Sequence, residues 1–559
     1  MANIKRRQSL SDVFKSVASG VTGVFVFIIL TIFPLYTHDM YFDILGARYM
    51  FFKVWGILLS SILATIGVMY LLIDLQNRAS SPSAIKRFID AFRLKNIKKH
   101  IIPCDIFFII LMLSMTISTL GTSFKEEAFY GNAGRYQGLE CWIIYFLTYI
   151  AITRTFSFKK YYLDFAILAG VYASVWGILD FFQLDPFGFF VNVGGIQRYM
   201  FASSIGNLNT YTNYTIMIFA LSATLFIVEK NLIKTIFYFI CAVISACGTI
   251  CGFADNAVLG FFGIFLFLPF FIFKNRRYFL RYLITIDILL ISLFIFWIAI
   301  KFPHNSVQSS FFLSLVQVPN FCYIFIPFTV LILLVASIFV KLTPNIDATN
   351  KSTNKNLRFE ALDSSIPKTV TYAYAILVIV VFAVVVYIIL DMNVFKQHIN
   401  IWTKLPSANQ LVFNDDWGTH RGHNWRIAFT NFLNNFSLFQ KLFGYGPDTY
   451  LIVSERTFYE EMVTRYGEVY DSAHNEYINY LICEGLIGLI TYIGVFVSGL
   501  KTGIKHMKNN IYILAPVMAV IAYMVQAVVN IAIPITTPVF FVLMYMCAAE
   551  HFQNVSENI

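Results

Sequence analysis

"DSAHNEYINYLICEGLIGL", residues 471–489, begins with charged and polar side chains and turns apolar within a few positions. It reads as a chain leaving water for hydrocarbon. Working outward, apolar runs recur along the whole 559 residues, each long enough to cross roughly 30 Å of lipid. The composition is 58% hydrophobic and only 13% charged, too little charge to cover a soluble fold of this size. Membrane strands would be shorter and would alternate in polarity. The fold class is therefore all-α, a polytopic membrane helix bundle.

About 14 transmembrane helices are expected, near residues 20–36, 50–74, 104–120, 140–153, 163–182, 210–228, 235–251, 257–273, 283–300, 321–340, 370–390, 475–500, 511–530 and 535–550. The first follows Lys5, Arg6, Arg7 and Lys15 and lacks a small-residue cleavage site, so it reads as a retained span. Threaded alternately from an inner N-terminus, the spans leave most of the 41 basic residues on the inner side. That bias places both termini in the cytoplasm. The net charge of +10 is thereby explained by topology, without nucleic acid. The eight cysteines form no Cys-x-x-Cys pair and no outer-loop cluster, which indicates neither a disulfide framework nor a thiolate metal site.

Residues 1–390 then hold helices one to eleven, and 474–559 hold helices twelve to fourteen. Within the first part, 82–99 has Ile85, Phe88, Ile89 and Phe92 at helical spacing opposite Lys86, Arg87 and Arg93. This is an amphipathic helix lying on the anionic inner leaflet, most simply a membrane-hugging linker. Residues 341–369, rich in Asn, Thr, Ser and Lys, read as a flexible cytoplasmic connection. Residues 391–473 are too long for a connector and form a large extracytoplasmic loop. In it, Trp425, Ala428, Phe429, Phe432 and Phe436 mark one amphipathic helix. "FGYGPDTY" supplies a turn and "SERTFYEEMVTRYG" a second helix, so the loop is expected to be a helical cap. No internal repeat is visible, unlike transporters built from duplicated halves.

Lysine dominates the inner basic residues, whereas arginine leads outside. Arginine is the residue that grips phosphate or carboxylate bidentately. Arg135, Arg198, Arg421 and Arg426 all lie on the outer side in Gly-rich or aromatic surroundings. Each alone could cap a helix or pair with a loop acid such as Glu140 or Asp416; together they favour an anion site. At 100° per residue, Gly485 and Gly488 fall under His474 on one helix face. Small residues mark close helix packing, which aims His474 at the outer mouth of the bundle. Asp471 or Ser472 is expected to cap this helix, and Glu484 is a costly intramembrane acid in need of a partner.

His474-Asn475, nine residues, Gly485, two residues and Gly488 resemble the His-Asn motif of the O-antigen ligase and Wzy-type polysaccharide polymerase superfamily. "RGHNWRIAF", "KLFGYGPDTY" and "DSAHNEY" follow in that family's order. "AFYGNAGRYQGL", and Arg198 ahead of "GNLN", are similar to its Gram-positive members. The sequence departs from the family pattern at Leu208, often Pro, and at Trp425, often Leu. An arginine often found near "CGFADNAVLG" is also missing.

The resemblance implies a GT-C-like membrane glycosyltransferase on the outer face of the plasma membrane, with no cofactor and no metal. Its partners would be a glycan donor on undecaprenyl diphosphate, a glycan or anchor acceptor, and membrane lipids. The resemblance puts His474 as base or acceptor-positioning group, with Arg421 and Arg198 on the diphosphate. Arg135, Arg426, Asn475, Asn207 and Asp471 would bind substrate. The rival readings are a lipid-linked oligosaccharide flippase and a metal-dependent transferase using Asp415, Asp416, His420 and His423. A flippase needs charge in a central cavity, whereas these arginines gather outside. "NDDWGTHRGH" lacks firm metal-ligand spacing.

Overall fold

The computed structural model describes residues 10–77, 83–91, 93, 100–305, 310–318, 327–332, 334, 365–404 and 408–557. The protein is an all-α polytopic membrane bundle. Among the described residues, ten helices are long and apolar enough to cross a membrane. They are Leu10–Leu35, Ile44–Gln76, Pro103–Gly121, Tyr161–Phe181, Leu208–Val228, Leu232–Cys251, Arg276–Ala299, Lys368–Phe395, Glu476–His506 and Ile511–Val529. Of the other spans read from sequence, 257–273 and 535–550 correspond to the shorter apolar helices Asn256–Ile272 and Thr537–Ala549. The segment 140–153 is the 17-residue helix Leu139–Thr155. Of the expected span at 321–340 only 327–332 and 334 are described, and 341–364 and 94–99 lie outside the described residues. The amphipathic helix is present as Ala84–Ala91, with Ile85 and Ile89 exposed.

The chain divides into two compact units. The first comprises 1–169, 427–520 and 531–559. In it the helix beginning at Glu476 packs on Pro103–Gly121 and on Thr537–Glu557, which in turn packs on Leu139–Thr155. The fully buried Arg48 donates to the carbonyls of Phe33 and Pro34 and so satisfies the end of the first span. The second unit comprises 170–426 and 521–530. Its centre is Leu208–Val228, buried on every side and packed on Leu232–Cys251 and Asn256–Ile272.

The two helices expected in the loop are present. Trp417–Thr430 opens with Gly418, Thr419 and His420 in left-handed conformations, so its regular part begins only after them. Ala428 and Phe436 are buried as the stripe required, but Phe429 is exposed. Tyr450–Tyr466 starts earlier than the sequence suggested and ends on Gly467 at φ 66°, a conformation that favours glycine.

Candidate functional site

The motif helix does not begin as expected. Its N-cap is Asn475, whose side-chain oxygen accepts from the Ile478 amide at 3.0 Å; neither Asp471 nor Ser472 caps it. Asn475, at φ −150° and ψ 112°, has the extended backbone that lets an amide side chain fold back onto the helix. One residue earlier, His474 has φ 48°, a left-handed conformation uncommon outside glycine. Asn479 holds the turn from below, its side-chain oxygen accepting from the Ala473 amide at 3.2 Å. Ser472, Ala473 and Asn475 are consequently buried, while His474 stays half-buried and accessible.

The helix is also interrupted. Gly485 has φ 69° and ψ −172°, which splits Glu476–His506 into two segments. Counting 100° per residue from His474 to Gly488 therefore fails at this point, although both glycines are buried. The carbonyls released by the break are taken up by a loop. Tyr445 and Gly446 donate their amides to Ile482 and Cys483, each at 3.0 Å. A Cβ on Gly485 would stand 2.5 Å from backbone atoms of Leu442 and Gly444, so nothing larger fits. Gly444, at φ 83°, presses equally closely on the Cys483 carbonyl.

The same "FGYGPD" loop positions the arginine. Asp448, at φ 57° and 8% exposed, accepts the Asn132 and Gln137 amides at 2.8 and 3.0 Å. Burial pushes its carboxyl up to about 7, against the pull of those two amides and of Arg135. Closed around Asp448, the 131–138 loop aims Arg135 at Asp471. Nε donates to one carboxylate oxygen at 3.0 Å, and Nη2 lies 2.7 Å from both. Burial raises the Asp471 carboxyl, but Arg135, and then His474, hold it below its ordinary value. Asp471 is thus an ionised carboxylate held by the Arg135 guanidinium, with the imidazole of His474 as a further electrostatic influence.

A small cavity of about 20 Å³ lies against Arg135, bordered also by Asp448, Glu476 and Glu484 among others. The Tyr492 hydroxyl donates to Glu476, and its ring stacks on Tyr480 with centroids 3.9 Å apart. Glu484, 2% exposed, keeps one carboxyl oxygen without a partner. The partner that its position seemed to demand is not present among the described residues.

The remaining sequence-predicted residues belong to the second unit. Arg421 donates to the Gly418 carbonyl at 3.2 Å, and its buried Nε has no partner. Burial lowers its affinity for the proton, opposed by the charge of Asp255. Asp255 is itself raised by burial and accepts the Phe311 amide at 2.7 Å. Arg426 makes a two-point pair with Asp415, at 3.1 and 3.2 Å. The loop acids that receive Arg135 and Arg426 are Asp471 and Asp415. Glu140 instead receives Lys53 and Tyr49. Arg198 is exposed, its guanidinium 5.7 Å from the Phe190 ring centre. It precedes a two-residue hairpin, Phe201–Ala202 with Gly206–Asn207. Asn207 caps the following helix by accepting from Asn209 at 2.9 Å. Leu208 is the first helical residue, a position where proline is also at home.

Arg135, Asp471, His474 and Asn475 thus come together in the first unit. Arg198, Arg421, Arg426 and Asn207 belong to the second. Sequence reasoning missed Asp448, Asp255 and the Glu476–Tyr492 pair. Only Asp448 carried a local signal, an acid inside a Gly/Pro turn. Among the described residues, no three His, Cys, Asp or Glu side chains cluster as ligands for a metal ion.

Residues 365–493 match the family model described as O-antigen ligase. The match takes in both cap helices and the His-Asn motif, and it supports the resemblance to the O-antigen ligase/Wzy superfamily. A comparison with curated proteins found no match.

Proposed function

We propose that this membrane protein, with its O-antigen ligase segment at 365–493, transfers or polymerises a glycan carried on undecaprenyl diphosphate. The reaction would take place on the outer face of the plasma membrane, with both termini in the cytoplasm. The observation that carries this reading is the Arg135–Asp471–His474 group at the start of the motif helix, within the matched segment and its supporting loop.

In this reading an acceptor hydroxyl attacks the anomeric carbon of the donor. The new glycosidic C–O bond forms as the bond to the diphosphate oxygen breaks, and undecaprenyl diphosphate leaves. His474 takes the hydroxyl proton, and the ionised Asp471 beside it stabilises the resulting imidazolium. Arg135 keeps Asp471 ionised and fixed. The family resemblance, rather than the geometry, assigns Arg421 and Arg198 to the leaving diphosphate. Arg426, already paired with Asp415, serves to shape the cap, and Asn475 holds the helix start. The apolar helices would carry the prenyl chain.

The test uses the full chain in nanodiscs with lipid-linked glycan isolated from the producing cell. His474→Ala is expected to lower glycan transfer by about 100-fold or more, with thermal unfolding unchanged and with wild-type activity persisting in EDTA. Full activity in His474→Ala, or loss of wild-type activity with chelator, would sink this mechanism. Movement of the lipid-linked glycan across the bilayer without transfer would identify a flippase instead.

A further inference from the structure

A second pocket, of about 170 Å³, is bordered by the loop that closes the helix break. Its walls include Ser123 and Phe124, just after Pro103–Gly121, and Phe439, Gln440, Gly444 and Tyr445. All of them lie in the first unit. Phe124 and Tyr445 are nearly parallel, 21° apart with ring centres separated by 6.1 Å. Phe436 continues the array at 5.7 Å from Tyr445. Arg456 locks it, its guanidinium 4.5 Å from the centre of the Phe124 ring and its Nη1 donating to the Tyr445 hydroxyl at 3.1 Å. Phe439, 40% exposed, rests on Gly121, where a Cβ would come within 2.6 Å of its ring.

Between these rings the lining is polar and carries no carboxylate. Gln440 gives its oxygen to the Ser437 amide at 2.9 Å, which leaves the NH2 group as a donor. Ser123 adds an exposed hydroxyl. The exposed Phe439 ring beside hydroxyl and amide groups selects a ligand with an apolar face edged by hydroxyls, which is the form of a pyranose ring. An acyl chain would leave the polar rim unpaired, and a basic peptide would find no acid.

We infer that this pocket is a holding subsite for a glycan chain, separate from the group around His474. It rests on the glycosyl-transfer reading above for the origin of the glycan. Its wall is fastened to the motif helix through Tyr445 and Gly446. A chain seated there stays tied to the segment that follows His474, which favours further transfer to the same chain and lengthens the product.

The probe is the set of oligosaccharides released by mild acid from the producing cell's lipid-linked glycan and fractionated by length. Binding to the full chain is measured in nanodiscs of phosphatidylcholine and of phosphatidylglycerol. Ser123→Trp, which fills the pocket, and Arg456→Gln, which releases the ring array, are each expected to weaken binding by about ten-fold. Products should shorten while the first transfer continues. Wild-type affinity in both variants, no oligosaccharide binding by the wild type, or binding abolished by phosphatidylglycerol alone would each overturn the subsite. Unchanged binding in the variants with transfer intact condemns only the subsite. Binding that is lost in the variants while the wild type transfers nothing supports the subsite and condemns the catalytic reading.

Discussion

His474 is held in a left-handed backbone conformation by buried neighbours on both sides, and its charge acts on Asp471. A negative charge beside an imidazole favours its protonated form. Asp471→Asn removes that charge and should shift the acid limb of the pH–rate profile to lower pH, with transfer reduced about ten-fold at neutral pH through the loosened Arg135. An unmoved acid limb would mean that His474 does not titrate in the reaction. Asp448 gives a second residue-scale outcome. Its carboxyl is raised in the folded protein to about 7, so between the ordinary carboxylate range and that value the folded state binds the extra proton. Stability from this group is complete at low pH and is lost as pH rises through that window. Asp448→Asn keeps an acceptor for Asn132 and Gln137 but cannot ionise. Thermal unfolding should therefore show the variant gaining on the wild type from pH 5 to pH 8, with the two closest at the acid end. At this scale the sequence was only partly readable. His474 and Asn475 stood out, but the choice of Asn475 over Asp471 as cap depends on which residue takes the extended backbone. The pairing of Arg135 with Asp471 depends on a loop closure organised by Asp448, far away in the chain.

The helices themselves were legible because a membrane span requires little more than length and apolar composition. Their irregularities were not, because each is created by a partner that periodicity does not see. The break at Gly485 exists because the 443–446 loop offers two amides to the carbonyls it exposes. Counting at a constant angle assumes an uninterrupted ladder and cannot register such a trade. Gly485→Ala forces a Cβ against the Leu442 and Gly444 backbone in a conformation alanine resists. The expected result is a loss of roughly 2–4 kcal/mol of stability and of nearly all transfer activity, measured by thermal unfolding and by the transfer assay. An alanine variant as stable and active as the wild type would show that the break is not needed.

For the whole molecule, the proposed orientation has a direct check. The seven described cysteines are all buried, which gives a quiet background for thiol labelling, with Cys322 outside the described residues. Glu460, on the second cap helix, and Lys15, near the N-terminus, are both exposed. A membrane-impermeant maleimide applied to intact spheroplasts should label Glu460→Cys and spare Lys15→Cys until the membrane is opened. The reverse pattern would invert the topology inferred from basic residues.

The interrupted motif helix also bears on how the protein is made. The apolar run below the break, residues 486–500, extends about 22 Å at 1.5 Å per residue before Lys501, short of a hydrocarbon thickness. The turns above the break are therefore part of the anchor. They carry Glu476 and Glu484 and reach their bonded state only when the earlier-synthesised loop docks on Ile482 and Cys483. Full anchoring and maturation thus go together, and the histidine acquires its final geometry only in a chain already threaded and folded. A nascent copy would be inert toward the lipid intermediates around it, a safeguard written into the backbone rather than supplied by a chaperone.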